Sequence, residues 1–399
     1  MFFVKMVHIL LNVVVGAGGV VIINANALSI PLADKSVHTI VTSPPYYGLR
    51  DYGTAKWEGG DPNCDHLGKL MPTRTGFNER YFDRPSSENN KQDAVHEPMG
   101  QVCTKCGAIR IDEQIGLEQT PDEYIANLVT VFRECKRILR DDGTLWVNIG
   151  DSFAGSGCGT NDYRTEASRS INKSDVMFTK KPPQQRITGS NGLKPKDLIG
   201  IPWMLAFALR ADGWYLRSDI IWAKRNCMPE SVKDRPTKSH EYIFLLSKSA
   251  KYYYDNEAIK EPYSVNSNPN EIYNGNATKD YKSASAQNPS DSKRRILESM
   301  ANGGGRNKRD VWFVSTKPYK GAHYATFNPD LITPCILAGA PEGGIVFDPF
   351  VGSGTTVATA IQLGRKGIGL DLSLKYLTEN AKERIESVKL PLLENAWKS

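Results

Sequence analysis

The sequence has few cysteines, no long apolar run and no strong excess of charge of either sign. Seven cysteines in 399 residues are sparse and odd in number, which excludes a disulfide framework and favours a reducing compartment. The 50 basic and 44 acidic residues leave a net charge of +6, which permits a polyanionic partner without requiring one. A mean hydropathy of −0.41 excludes a polytopic membrane protein. Ordinary contents of hydrophobic (40%) and charged (24%) residues exclude collagen-like, coiled-coil and fully disordered chains.

Residues 9–23 are mostly apolar, although Asn12 and a glycine-rich run at 16–19 interrupt them. The stretch is too short for a membrane span, and with only Lys5 upstream it makes an unconvincing signal peptide. It therefore predicts a buried β-strand and its turn. The glycine run resembles a dinucleotide-binding loop, but no suitable acidic residue follows about 20 residues on, so we do not assign that role.

Short apolar runs alternate with amphipathic stretches along much of the chain. The apolar runs predict strands at 39–42, 144–149, 218–222, 242–246, 344–347 and 366–370. One-sided apolar periodicity predicts helices at 121–139, 355–363 and 374–388. Thr120 and Pro121 form a typical helix start, and Asp141-Asp142-Gly143 predicts a turn into the next strand. Strands that alternate with helices indicate a largely parallel α/β sheet.

Three irregular stretches interrupt this alternation, and we interpret them as insertions. Residues 56–112 are rich in Gly, Pro, Asp and Asn, residues 154–196 are Gly/Ser-rich and then basic, and residues 256–310 are rich in Asn, Ser and Lys. The last two have little apolar content, so we expect their order to depend on a partner. The basic groups at 293–295 and 306–309 are candidate phosphate contacts, and a solvated basic loop is the alternative for each residue.

The run Ser43-Pro44-Pro45-Tyr46 follows a predicted strand and has the chemistry to hold an amino group. Two prolines remove backbone donors and leave carbonyls available as acceptors. Ser43 adds a side-chain acceptor, and Tyr46 adds a flat face on which a base can stack. Acceptors around an exocyclic amine favour the pyramidal nitrogen of its transition state. The alternative is an ordinary proline turn.

A second loop, 348–356, reads Asp-Pro-Phe-Val-Gly-Ser-Gly-Thr-Thr between a predicted strand and a predicted helix. Gly352 and Gly354 permit a tight turn and a close approach of the backbone to a ligand. Asp371 ends the next predicted strand, where a carboxylate can hold a ribose diol, as in dinucleotide-binding folds. The alternative is a plain strand–turn–helix connection.

Taken together, these two loops resemble those of S-adenosylmethionine-dependent DNA amino-methyltransferases (the N-4/N-6 DNA methylases). Ser43–Tyr46 matches the family's [D/N/S]-P-P-[Y/F/W] motif, and 348–356 matches its D-P-F-x-G-S-G-T-T motif. The catalytic motif comes first, which is the family's β-type order. The resemblance implies a Rossmann-like methyltransferase fold with a mostly parallel central sheet, a circularly permuted motif order and irregular insertions. The catalytic domain would span 20–255 plus 311–388, with 56–112 as an insertion, 154–196 as a flexible basic loop and 256–310 as the target-recognition region.

The resemblance also implies roles for individual residues. The flipped base would be held by Ser43, Pro44, Pro45 and Tyr46. The cofactor site would include Asp348, Phe350, Gly352, Gly354, Thr355, Asp371, His323 and Asn26. The residue before Asn26 is Ala25, whereas family members often have Gly-Asp at this pair. A cofactor contact by that acid is therefore in question, although Asn26 can still form a hydrogen bond.

The implied function is site-specific methylation of double-stranded DNA, with S-adenosylmethionine as cofactor. A serine before Pro-Pro resembles the cytosine-N4 branch, and adenine N6 is the alternative target. A methyltransferase acting on RNA or protein, or a non-catalytic zinc-containing nucleic-acid-binding module, are further alternatives. We expect no membrane partner and a cytoplasmic location in a bacterial or phage-infected cell. A cognate restriction endonuclease would act on the same site without forming a stable complex.

Cys64, His66, Cys103 and Cys106 form a C-x-H plus C-x-x-C set within the 56–112 insertion. Four such ligands suit a tetrahedral structural zinc ion, which would help to order a loop-rich segment. The alternative is two unconnected pairs of reduced side chains. Methyl transfer needs no zinc, so the predicted role of the metal is structural.

Overall fold

The computed structural model describes residues 13–16, 20–48, 54–64, 70–72, 101–103, 105–118, 120–154, 193–194, 196–262, 305–316 and 328–388. The chain divides into two compact units. The first comprises 1–44, 131–150 and 206–399, and the second comprises 45–130 and 151–205. Within the described ranges, no helix combines the length and apolar character that a bilayer span requires.

Fifteen strands, six α-helices, a 3₁₀ turn (Glu257–Ile259) and a π-helical turn form the described structure. The strands are β1 (Val13–Gly16), β2 (Val20–Asn24), β3 (Val37–Thr42), β4 (Lys56–Glu58), β5 (Leu70–Pro72), β6 (Gln101–Cys103), β7 (Ile109–Ile111), β8 (Leu139–Ile149), β9 (Tyr215–Ala223), β10 (His240–Ser247), β11 (Glu261–Pro262), β12 (Gly305–Arg306), β13 (Val311–Phe313), β14 (Ile345–Asp348) and β15 (Lys366–Asp371). The helices are α1 (Pro121–Ile138), α2 (Ile201–Ala211), α3 (Pro329–Gly339), α4 (Thr355–Gln362), α5 (Leu374–Tyr376) and α6 (Lys382–Glu386). A π-helical turn, Leu377–Ala381, joins the last two.

The first unit contains a nine-stranded sheet in the order β1-β2-β15-β14-β3-β8-β10-β9-β13. Five consecutive strands, from β2 to β8 in this order, run parallel. β10 runs antiparallel to both β8 and β9, and β1 runs antiparallel to β2. The chain leaves β14 towards β15 on one side and leaves β3 towards β8 on the other. The topological switch point therefore lies between β14 and β3. The predicted mostly parallel α/β sheet is confirmed.

The predicted strands and helices are present, with end shifts of a few residues, and two local expectations were wrong. Asp141 to Gly143 do not form a turn, because β8 begins at Leu139 directly after α1 and runs through them. The apolar N-terminal stretch contributes two antiparallel strands, β1 and β2, rather than one. Helices α2 and α3 and the short strands β4 to β7 and β11 to β13 were not predicted.

The buried apolar side chains described in the first unit include two clusters. One gathers around α3 and includes Val41, Trp146, Trp222, Leu331 and Ile336. The other gathers around α4 and includes Val20, Ile22, Val351, Val357, Ile361 and Leu377. Each fully buried side chain of this size contributes about 1.5–3 kcal/mol to folding. The sheet and its loops therefore rest on a packed, rigid support.

The second unit contains a small four-stranded antiparallel sheet in the order β4-β7-β6-β5. It also contains the start of α1, where Thr120 and Glu123 form a reciprocal capping box. The Glu123 amide donates to Thr120 Oγ1 (3.2 Å), and the Thr120 amide donates to the Glu123 carboxylate (3.3 Å). The predicted helix start is therefore confirmed.

Two long segments begin and end at residues that pair with each other. In the second unit, the Ala154 amide donates to the Asp197 carbonyl, and the Lys196 amide donates to the Ala154 carbonyl, both at 2.8 Å. Asp151 accepts from the amides of Gly200 (3.0 Å) and Ile201 (3.1 Å), which caps the start of α2. In the first unit, β11 pairs with β12 in the same way. Backbone hydrogen bonds therefore fix the two ends (the root) of each segment next to each other.

Candidate active site

The carboxyl ends of the parallel strands meet at one edge of the sheet in the first unit. Asn24 ends β2, Asp371 ends β15, Asp348 ends β14 and Thr42 ends β3. Thr42 precedes Ser43, and Asp348 opens the glycine loop, so both sequence-predicted loops leave the sheet here. The carboxyl edge at a switch point is where open α/β sheets bind ligands.

A buried carboxylate, that of Asp348, connects these two loops. Thr42 Oγ1 donates to one oxygen and Thr356 Oγ1 to the other, each at 2.6 Å. The Phe350 amide donates a third bond at 3.0 Å. Only 1% of Asp348 is exposed, and this burial raises its pKa to about 6 although all three donors act to lower it. The carboxylate thus binds protein groups and fixes the starts of both loops.

The glycine loop turns sharply between β14 and α4. Gly354 has φ +78°, and a Cβ added there would lie 3.2 Å from Ala381, so only glycine fits without strain. The Gly354 amide closes the turn on the Val351 carbonyl at 2.8 Å. From α6, the Arg384 guanidinium donates to Thr355 Oγ1 at 2.7 Å. Contacts within the protein therefore support the turn of this loop.

The Asp371 carboxylate at the end of β15 is tied to the same loop. One oxygen accepts from the Gly352 amide (2.9 Å) and the other from the Ser373 amide (2.8 Å). Burial raises the pKa of Asp371. Asn24 Nδ2 donates to the Asp371 carbonyl (3.0 Å), which links the ends of β2 and β15. A carboxylate has about four lone-pair sites, so the group can accept a further donor beside these backbone amides.

The other sequence-predicted cofactor residues differ in placement. Asn26 lies two residues beyond β2, at the same edge, and its Oδ1 accepts from the Leu28 amide at 3.0 Å. Phe350 and Thr355 belong to the glycine loop and the first position of α4. His323 lies outside the described residues. The assignment of these side chains to the cofactor stays a prediction.

Ser43 and Pro44 continue from the end of β3 in the first unit. Ser43 is partly exposed, whereas Pro44 is buried. In the part of the chain that the structure describes, no group donates a hydrogen bond to Ser43 Oγ or to the Pro44 carbonyl. Both oxygens are therefore available to a ligand amine.

Pro45 and Tyr46 begin the second unit, where Tyr124 on α1 supports them. Its hydroxyl donates to the Pro45 carbonyl at 2.7 Å, so this carbonyl is already engaged. The Tyr47 and Tyr124 rings lie 5.3 Å apart, and burial raises the pKa of Tyr47. Gly116 packs directly against this backbone, since a Cβ there would lie 3.1 Å from the Tyr46 carbonyl oxygen. The backbone around Tyr46 is thus packed from two sides.

Three polar residues at the edge of the first unit were not predicted as site residues. Asn148 near the end of β8 donates to Glu241 (3.3 Å) and to the Tyr242 carbonyl (3.1 Å). Glu241 also pairs with Lys224, whose ammonium lies 4.6 Å from the centre of the Trp222 ring. Lys224 directly follows β9 and Glu241 lies on β10, so only the antiparallel pairing of these strands brings the two residues together.

Three of the four predicted metal ligands come together in the second unit. The sulfur atoms of Cys64, Cys103 and Cys106 all lie within 4.8 Å of one another. His66, the fourth predicted ligand, lies outside the described residues. Its role therefore stays a prediction.

The basic run at 306–309 is partly neutralised within the first unit. The Glu261 carboxylate accepts from the guanidinium groups of Arg306 (3.2 Å) and Arg309 (3.0 Å), and Lys308 lies 3.9 Å away. The basic residues at 293–295 lie outside the described part of the chain. A phosphate group that binds Arg306 or Arg309 would therefore compete with the Glu261 carboxylate for them.

The mostly parallel sheet, the glycine loop after β14 and the acid at the end of β15 define a Rossmann-like methyltransferase fold. The family model described as DNA methylase, of the N6 and N4 type, matches residues 37–383. The chain therefore belongs to the DNA methylase family. The predicted family membership is confirmed.

Individual relatives agree with this assignment. The chain is 40% identical over 361 residues to the Type II methyltransferase M.Cfr9I of Citrobacter freundii, covering 90% of this chain and 85% of that protein. It is 40% identical over 346 residues to the Type II methyltransferase M.SmaI of Serratia marcescens, covering 87% and 83%. A solved structure of the PvuII cytosine-N4-specific DNA methyltransferase aligns with 93% of this chain and 91% of its own, at a TM-score of 0.47 and 13% identity. A likeness at that level does not bear on the target base.

Proposed function

We propose that this chain is a site-specific DNA methyltransferase that methylates the N4 amino group of a flipped cytosine in double-stranded DNA, using S-adenosylmethionine. The hydrogen bond between Thr42 and Asp348 is the observation on which the proposal depends. These residues are 306 positions apart, yet they bring the start of the Ser-Pro-Pro loop and the start of the glycine loop to one switch point.

The residues at the ends of β14 and β15 fit S-adenosylmethionine. Asp371 lies at the end of β15, where a carboxylate can hold a ribose diol. The glycine loop offers a close backbone approach beside the amide-rich start of α4. When bound, the cofactor supplies a methyl group on a positively charged sulfur, which acts as the electrophile. Asp348 holds the loop, while Asp371 binds the ligand.

Ser43 and Pro44 prepare the attacking amine. Its lone pair is delocalised into the base ring, which makes it a poor nucleophile. Ser43 Oγ and the Pro44 carbonyl each accept one amine hydrogen, which favours the pyramidal nitrogen and stabilises the positive charge that develops there. Tyr46 stacks on the flipped base. The proton leaves to solvent after transfer, so no strong general base is required.

Ser43 at the first position of the motif favours cytosine N4, and adenine N6 is the second candidate target. The Type II names of the two relatives support a restriction–modification setting, in which a cognate endonuclease cleaves the same DNA site when it is unmethylated. The paired segments rooted at Ala154–Asp197 and at β11–β12 are the proposed regions for DNA contact, because both carry basic residues.

The first experiment incubates the purified chain with methyl-labelled S-adenosylmethionine and, separately, unmethylated double-stranded DNA, RNA and protein. We expect label in DNA alone, and nucleoside analysis should yield N4-methyldeoxycytidine. N6-methyldeoxyadenosine would replace the proposed target base and leave the proposed reaction intact. Label in RNA or protein, with none in DNA, would overturn the proposal.

The second experiment separates the roles of the two loops. Ser43→Ala should lower kcat about 10- to 100-fold with little change in cofactor affinity, because it removes one hydrogen bond made to the reacting amine. Asp371→Ala should instead raise the KM for the cofactor. Ser36→Ala is the matched control, since Ser36 precedes the other end of β3 and makes an exposed hydrogen bond to the Ala33 carbonyl. Equal loss of cofactor binding in the Ser43 and Asp371 variants would refute the division of labour.

A further inference from the structure

The second unit contains a cluster of three thiols with the spacing of a metal site. The sulfur atoms of Cys64, Cys103 and Cys106 lie within 4.8 Å of one another, and those of Cys64 and Cys103 are 3.8 Å apart. That separation is far longer than a disulfide bond of about 2 Å. In tetrahedral zinc–thiolate sites, bonds of about 2.3 Å place the sulfur atoms about 3.8 Å apart. The observed spacing therefore suits a shared metal ion.

A tight turn presents two of these thiols. β6 ends at Cys103, and the chain reverses so that the Gly107 amide donates to the Cys103 carbonyl at 2.8 Å. The Cys103 amide in turn donates to the Ala108 carbonyl at 2.7 Å. These two bonds close a loop around Cys106. The backbone, rather than the metal, thus sets the relative position of the two sulfur atoms.

A second loop brings Cys64 to the same place. The Asp61 side chain accepts from the Asn63 amide (2.9 Å), and the Asp61 carbonyl accepts from the Cys64 amide (3.0 Å), so the chain turns just before the thiol. A Cβ on Gly60 would lie 2.7 Å from Cys106 Sγ. Glycine alone lets this loop pass so near the sulfur. Two separate loops therefore converge on one point.

The part of the small sheet whose side chains are described has little apolar core of its own. Its four strands are three residues long. Among the side chains described in 54–64, 102–103 and 105–111, only Cys103 and Ala108 are buried. A small structure that buries so little apolar surface usually needs a disulfide or a metal ion for stability. The three thiols are the group in this sheet that can supply such a cross-link.

We propose that Cys64, Cys103 and Cys106 bind a structural zinc ion that holds the β4–β7 sheet together. The Gly48 amide donates to the Gly116 carbonyl at 2.8 Å, which joins the two ends of the segment carrying this sheet. Gly116 also lies against the Tyr46 carbonyl. The metal therefore stabilises the segment that supports Tyr46.

Elemental mass spectrometry of the full-length chain, purified without chelators, tests the proposal. We expect about one zinc per chain, loss of the metal in Cys106→Ser, and retention in the control Cys227→Ser, which alters a cysteine outside the cluster. Chain substituted with Co²⁺ should show thiolate-to-cobalt charge-transfer absorption, which the Cys106 variant should lack. Because that variant could fail to fold, alkylation of the wild type provides a second measurement: the three thiols should react only after chelation.

Two results would overturn the proposal. One is wild-type protein from zinc-supplemented cells that carries no stoichiometric metal and whose three thiols are alkylated equally fast with and without chelator. The other is an intact mass lower by two hydrogen atoms, with a disulfide mapped between two of these cysteines. Neither result bears on methyl transfer to DNA, so failure here is distinguishable from failure of the proposed function.

Discussion

The buried carboxylate of Asp348 should make the stability of the chain fall as the pH rises. Its pKa is about 6 in the folded chain against an ordinary value of 3.8. The folded chain therefore binds a proton more tightly than the unfolded chain does. The resulting stabilisation is fully present below about pH 4 and is lost as the pH rises through 6. The difference of about two pKa units corresponds to about 3 kcal/mol in total.

Asp348→Asn removes this titration and keeps the shape of the side chain. Between pH 4.5 and 7.5, the free energy of unfolding of the wild type should fall by about 2 kcal/mol relative to the variant. Urea denaturation at several pH values measures both curves, and subtracting them cancels the other titrating groups. The variant should also lose activity, because an amide cannot accept from Thr42, Thr356 and Phe350 in the same way.

Thr356→Val complements Asp348→Asn, because it shifts the pKa of Asp348 without removing the carboxylate. It removes a hydroxyl whose hydrogen bond lowers the pKa of Asp348, so the pKa should rise further and the pH-dependent loss of stability should grow. Parallel stability profiles for the wild type and Asp348→Asn would show that the carboxylate does not titrate in this range. That result would refute the reasoning from burial.

Three further substitutions test how the loops are supported. Gly369→Ala places a Cβ 2.5 Å from the side chain of Val351 in the glycine loop, so it should lower the free energy of unfolding by about 1–3 kcal/mol in urea denaturation and raise the KM for the cofactor. Asp151→Ala removes the cap of α2, so unfolding should be about 1 kcal/mol easier by the same assay. Tyr124→Phe breaks the bond to the Pro45 carbonyl, which should cost about 1 kcal/mol and lower kcat in the labelled-methyl assay. A variant whose free energy of unfolding equals that of the wild type would show that the contact it alters does not stabilise the fold.

The parallel centre of the sheet could be predicted because its strands are short apolar runs separated by amphipathic helices. The direction of β10 was harder to predict. Residues 224–239 connect it to β9 and contain no helix, whereas parallel neighbours are usually joined through a helix, and the sequence pattern does not show that this connection lacks one. Helix α3 was missed because Pro329 and Pro334 stand within it. Prolines indicate loops unless tertiary packing overrides them.

The sequence predicts the two motifs of the candidate site, but it does not predict that they lie next to each other. Motif spacing identified Ser43 and Asp348 separately, and only the sheet order shows that the residue before Ser43 bonds to Asp348. The pairing of Asn148 with Glu241 depends on an antiparallel neighbour of β8, which residue spacing alone does not reveal. Long-range contacts of this kind follow from topology rather than from local pattern.

The paired roots of the two long segments have a consequence for how such proteins diversify. Residues that face each other across antiparallel pairs are about 5 Å apart, so each segment leaves and re-enters the framework at nearly the same point. Doubling the length of a closed loop costs only about 0.6 kcal/mol. The content between Pro262 and Gly305 can therefore be lengthened, shortened or exchanged while the sheet stays intact. The same sheet can in this way carry different segments between one fixed pair of strands.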